Sequence, residues 1–128
     1  MLATMAGATL VGVEARIIDV EVELANGLPN FSIIGLGDAA VQEARYRIQA
    51  SLREAGFTLP HKRITINLAP AAQRKDGSAL DLPMVLGLLA AAEILDQKSL
   101  EGCLAAGELA LSSALRPVRG ILPTTALA

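Results

Sequence analysis

A strand-like run, Ile64-Thr65-Ile66-Asn67-Leu68, is followed by a polar loop that ends Arg74-Lys75-Asp76-Gly77-Ser78-Ala79-Leu80-Asp81-Leu82-Pro83 and opens an apolar stretch reaching Leu95. This strand–loop–helix junction limits the fold more than any other segment. A helix that is apolar around most of its circumference must be buried, and the strand delivered beside it begins the sheet that covers it. Apolar residues make up 52% of the chain and aromatic residues only 2%, so the core must be built from Ala, Leu, Ile and Val. Alanine-rich helices approach sheets closely, which suits a two-layer domain. The length, 128 residues, is enough for one such domain.

The rest of the chain supplies the other layer. Residues 8–24 are rich in β-branched and aliphatic side chains, and from Asp19 to Leu24 acids alternate strictly with aliphatics. That alternation belongs to a strand with one wet face. Asn26-Gly27 is a turn signal, and Phe31-Ser32-Ile33-Ile34 gives a further short strand. Gly35-Leu36-Gly37-Asp38 turns the chain, with Asp38 expected to cap the next helix. Residues 39–55 carry the stripe Val41, Ala44, Ile48, Leu52 and Ala55, with Gly56 as the stop. A second helix is expected over residues 80–95, with Pro83 in its first turn. Residues 105–111 and 115–118 read as a closing strand pair with Ser112 and Ser113 at the bend. The order β, β, β, α, β, α, β, β predicts a single α+β domain over residues 1–128, with two main helices on one mixed sheet. The last residues, from Pro123, read as the start of a helix, so a longer protein is expected.

Charge excludes little. The net charge is −2, yet residues 39–75 hold seven bases against two acids, whereas residues 1–38 hold five acids and one base. One cysteine, Cys103, leaves no intramolecular disulfide and reads as a small core residue at a strand start. The first residues lack a basic leader and the most apolar stretch is too short to span a bilayer, so a cytoplasmic protein without membrane contact is expected.

Several segments taken together resemble a known family over essentially the whole chain. They are Gly12-Val13-Glu14-Ala15, Asn26-Gly27-Leu28-Pro29-Asn30-Phe31, residues 34–43, Arg63-Ile64-Thr65-Ile66-Asn67-Leu68-Ala69-Pro70-Ala71, residues 75–83, and Gly107-Glu108-Leu109-Ala110-Leu111 with Leu115-Arg116-Pro117-Val118-Arg119-Gly120. This pattern resembles the N-terminal domain of the magnesium-chelatase-like AAA+ ATPases, the YifB and competence protein ComM group. Gly37 departs from it, standing where many relatives have proline. The resemblance implies a fold like the Lon proteolytic domain, within the ribosomal protein S-five domain-two superfamily. It also implies a AAA+ module downstream that binds ATP and Mg, a homo-oligomeric ring, hexameric in ComM-type DNA branch-migration motors, and DNA as a partner of the full-length protein. No G-x-x-x-x-G-K-[ST] motif occurs in this sequence, so no cofactor is expected in this segment.

Lon-type proteases place a serine nucleophile at such a junction, in a Lys-Asp-Gly-Pro-Ser-Ala-Gly motif, with a lysine base after the Gly-Glu strand. The resemblance puts those two positions on Ala79 and Leu122, which are apolar. Neither can donate or accept the proton that dyad chemistry requires. Ser78 is one position off register, about 100° around a helix start, and reads as a cap; Lys75 is the base nearest to it in sequence. Asp76 and Asp81 read as helix-start acids that complement the macrodipole. His61, the single histidine, reads as a surface residue. Arg45, Arg47 and Arg53 on one helix, with Lys62, Arg63, Arg74 and Lys75 around one strand, form a basic middle. Arg45, Arg47, Arg74 and Lys75 are the candidates for contact with nucleic acid or with the AAA+ module, through phosphates in the first case. The leading reading is a non-catalytic accessory domain, with catalytic, cofactor and metal residues none. The alternatives are a divergent Lon-like serine hydrolase using Ser78 and a regulatory domain of a magnesium-chelatase-like protein.

Overall fold

The computed structural model describes residues 1–11, 14–73, 75 and 78–116. Strands β1 (Leu2–Val11) and β2 (Glu14–Ala25) form a long antiparallel hairpin, paired from Leu2 with Glu23 to Val11 with Glu14. Strand β3 (Asn30–Ile34) leads into helix α1 (Asp38–Glu54), which returns the chain to β4 (Arg63–Ala69). Strand β4 inserts between β2 and β3, antiparallel to the first and parallel to the second. The sheet order is therefore β1-β2-β4-β3. Helix α2 (Asp81–Ala91) follows, then a 3-10 turn at Gln97–Leu100 and a small hairpin of β5 (Glu108–Leu109) and β6 (Leu115–Arg116). The expected element order and a mixed sheet are observed, but the closing pair is shorter than expected and forms a separate two-stranded sheet.

The alternation in β2 separates two faces. Ile18, Val20, Val22 and Leu24 are buried under the helices, while Asp19 and Glu23 are exposed on the other side. The first strand starts earlier than expected, at Leu2, because Ala3 and Met5 join the same buried face opposite Val22 and Val20. On α1 the stripe Ala44, Ile48 and Leu52 is buried and Val41 is half-buried, but Ala55 is exposed as the C-cap. Helix α2 is the more deeply buried one, packed on β1 and β2. It lies close because two glycines leave room. A Cβ on Gly7 would stand 2.8 Å from Leu80, and one on Gly87 would stand 2.8 Å from Val22.

The two helices end alike by different means. At α1, Gly56 takes φ +88°, its N–H donates to Arg53 O, and the Phe57 N–H donates to Leu52 O. This is the paired closure of a Schellman motif. At α2 the same pattern closes through Glu93 at φ 63°, with Glu93 N–H on Ala90 O and Ile94 N–H on Leu89 O. The helix thus stops at Ala91, not Leu95, because a glutamate without the usual glycine signature occupies the left-handed position. The start of α1 also differs from expectation. Gly37 is the N-cap with no side-chain bond, and Asp38 lies inside the first turn.

The edge of β1 is closed by a side chain. Gln97 Nε2 donates to Thr4 O and the Thr4 N–H donates to Gln97 Oε1, each at 2.9 Å. Beyond it, the Ala105 N–H donates to Ala6 O. Cys103 lies in this connection and is exposed, not in the core: its chain is held outside β1 by these edge bonds.

Candidate functional site

Among the described residues, two separate depressions hold the basic residues of α1. The first is the junction itself. Backbone bonds tie the start of α2 to the segment before β5: the Leu82 N–H donates to Gly107 O, and the Gly107 N–H donates to Ala79 O. This brings Glu108 over the start of the helix, where it accepts the hydroxyl proton of Ser78. Beside it Asp81, 1% exposed, receives a two-pronged bond from Arg47 on α1. Arg47 Nε lies 2.7 Å from Oδ2 and an Nη lies 3.0 Å from Oδ1. The Leu109 N–H adds a third bond to the carboxylate at 3.1 Å. A buried carboxylate survives only when its lone pairs are occupied in this way. Burial pushes the Asp81 carboxyl above its usual range, opposed by Arg47 and by the Leu109 N–H. The bond from Asp81 raises the Arg47 guanidinium, so the arginine stays charged.

Asp81 lies in the first turn of α2, where the sequence reading puts it, but it makes no capping bond. Its carboxylate faces α1 and β5, and the N-cap of α2 is Leu80 without a side-chain bond. Lys75 is buried, with its ammonium 2.8 Å from Pro70 O and 2.7 Å from Gln73 O. It is neither a surface cation nor bonded to Ser78. Ala79 is half-buried and takes part through its carbonyl. Arg74, Asp76 and Leu122 lie outside the described residues. The cleft here is about 240 Å³, lined by Glu43, Arg47, Ser78, Asp81 and Glu108 with aliphatic neighbours. Its carboxylates at Asp81 and Glu108 are engaged by Arg47, Ser78 and a backbone N–H, so the donor set does not suit a divalent ion. Among the described residues no group of three His, Cys, Asp or Glu is arranged to hold a metal. Nor, among those residues, is any helix long and apolar enough to cross a membrane.

The second depression is a groove of about 720 Å³ between α1, the start of β3 and the loop before β4. Arg45, Gln49 and Arg53 line it from one face of α1, His61 and Lys62 from the loop, and Phe31 and Phe57 from its apolar parts. The Arg45 guanidinium carbon lies 5.8 Å from the centre of the Phe31 ring. Arg45 Nε is buried without a hydrogen-bond partner. Arg45 and Arg47, read from the sequence as one basic set, thus belong to different depressions. The sequence reading missed Phe57 and Glu108. Phe57 had a signal in its position after the Gly56 stop; Glu108 had only its place in the Gly-Glu strand.

Residues 20–128 match the family described as subunit ChlI of Mg-chelatase. The chain belongs to this family. It is 45% identical over 112 residues to competence protein ComM of Haemophilus influenzae, covering 88% of this chain. It is 46% identical over 111 residues to the protein YifB of Salmonella typhimurium, and 45% identical over 111 residues to YifB of Escherichia coli, covering 87% of this chain in each case. In all three matches the chain spans 22% of the relative's length.

Proposed function

We propose that this chain is a non-catalytic accessory domain of a longer ComM/YifB-type AAA+ ATPase. One observation carries the reading: Lys75, the base nearest to Ser78 in sequence, is bonded to backbone carbonyls and not to Ser78, so no Ser–Lys pair forms among the described residues. Ser78 donates its hydroxyl to Glu108, and Lys75 spends its ammonium on two backbone carbonyls. A Lon-type dyad needs a lysine placed to take the serine proton; Lys75 is turned to backbone carbonyls, and Ala79 offers no hydroxyl at all. The Ser78–Glu108 and Arg47–Asp81 contacts instead lock α1, α2 and β5 together, which suits a rigid platform beside a motor.

In this reading the work is done elsewhere in the longer protein. Its AAA+ module binds ATP and Mg, its copies form a ring, and DNA is the track on which branch migration occurs. The name of the Haemophilus relative, a competence protein, supports a role in DNA uptake. The test uses the longer protein and a fluorophosphonate probe. No labelling of Ser78 is expected, and Ser78→Ala should leave ATP turnover and branch migration unchanged. Labelling of Ser78 that disappears in Ser78→Ala would restore the hydrolase reading.

A further inference from the structure

The groove on α1 has the features of a ligand site that the junction lacks. Its charged side chains are all basic: Arg45, Arg53 and Lys62, with His61 beside them and no acid in the lining. Like charges gathered in one concavity raise the local potential and favour an anion. Arg45 and Arg53 are eight positions apart on α1, with Gln49 between them, a spacing that keeps all three on one helix face. At the junction, Arg47 already has its carboxylate. Here Arg45 Nε is buried and has no acceptor among the described residues. A desolvated N–H of a cation is costly unless an acceptor arrives.

The groove also presents an aromatic face. Phe57 is 38% exposed, although its position is fixed. The helix stop at Gly56 bonds the Phe57 N–H to Leu52 O at 2.9 Å, so the ring sits on a locked backbone at the rim. A rigid, half-exposed ring beside three cations suits a ligand that is anionic at one end and planar at the other. A carboxylate-rich peptide would use the cations and leave the ring idle. A DNA duplex would present phosphates but keep its bases stacked inside.

We infer that this groove binds a nucleotide unit, with the phosphate on Arg45, Arg53 and Lys62 and the base stacked on Phe57. A single strand and a free nucleotide offer the same chemistry. The preference for the strand rests on the DNA-linked function proposed above; the groove itself does not depend on it. Phosphate contacts fix the backbone and stacking accepts any base, so the site is indifferent to sequence.

The experiment is fluorescence anisotropy of the 128-residue chain with a labelled oligo-dT strand. Competitors are thymidine monophosphate, the matching duplex and polyglutamate. Binding is expected to fall with salt at a log–log slope of about −0.7, as for one phosphate contact on a single strand. Arg45→Gln with Arg53→Gln should weaken binding at least tenfold, while Lys98→Gln, an exposed cation elsewhere, should not. Phe57→Ala should weaken the oligonucleotide about tenfold and leave the salt slope unchanged. Thermal melts of each variant confirm that it is folded. Competition by the monophosphate as strong as by unlabelled strand, per nucleotide, assigns the groove to free nucleotides. The proposal is overturned if the arginine pair changes nothing, if Phe57→Ala is silent, or if duplex or polyglutamate competes as well as the strand. Failure here rejects the groove alone; labelling of Ser78 rejects the non-catalytic reading alone.

Discussion

Arg45 and Arg47 stand two positions apart on α1 and have opposite fates. Two helical steps turn a side chain by about 200°, so one arginine looks toward α2 and the other toward β3 and the loop before β4. Arg47 meets a buried carboxylate and becomes part of the architecture. Arg45 meets an aromatic ring and a groove without acids, and its Nε has no partner. Proximity in sequence does not make a basic patch; the helical period decides which cations share a face.

The contrast can be broken most directly at Arg47. Arg47→Ala leaves Asp81 buried with only the Leu109 N–H, and should cost about 3 to 5 kcal/mol of stability, measured by urea unfolding. If the loss is below about 1 kcal/mol, the pair is not structural and the contrast fails. Ser78→Ala tests the neighbouring tie. Losing a hydrogen bond to a charged group should cost about 1.5 to 3 kcal/mol, and Ser78→Thr should recover part of it. Arg45→Gln sharpens the other side of the comparison. It should destabilise by no more than about 1 kcal/mol, the worth of the contact with the Phe31 ring, because no acceptor is lost.

The smallest effect is a slope with pH. Burial holds the Asp81 carboxyl above the usual range, so the folded protein keeps a proton that the unfolded chain has already released. The contribution of this group to stability is therefore fully present below the unfolded value, about pH 4, and declines as pH rises toward the folded one. Asp81→Asn should remove that decline from the stability–pH curve. A wild-type contribution that instead increases over this window would mean that Arg47 outweighs burial.

Much of the fold was legible. The acid–aliphatic alternation of β2, the stripe on α1 and the Gly56 stop each express a local period or a local backbone need. The overrun of α2 to Leu95 came from the lack of such a mark, since Glu93 holds the position that glycine usually announces. The junction was legible as a place but not as a set of contacts. Asp81 and Arg47 are far apart in sequence, and nothing local says that an acid at a helix start turns toward another helix. Cys103 was misplaced for the same reason: whether a small apolar side chain is buried depends on which element lies over it. The groove was half legible. Its cations could have been sorted by helical face, but the exposure of Phe57 depends on the tertiary path of the loop.

Gln97 has a consequence for how this domain can be extended. Its amide imitates a peptide group, giving Thr4 both the donor and the acceptor that a neighbouring strand would supply. With Ala105 bonded to Ala6 next to it, the Thr4–Ala6 stretch of that border is closed to templating. The opposite border is β3, whose Asn30 and Phe31 also line the groove. A strand added at that border would run past the mouth of the groove.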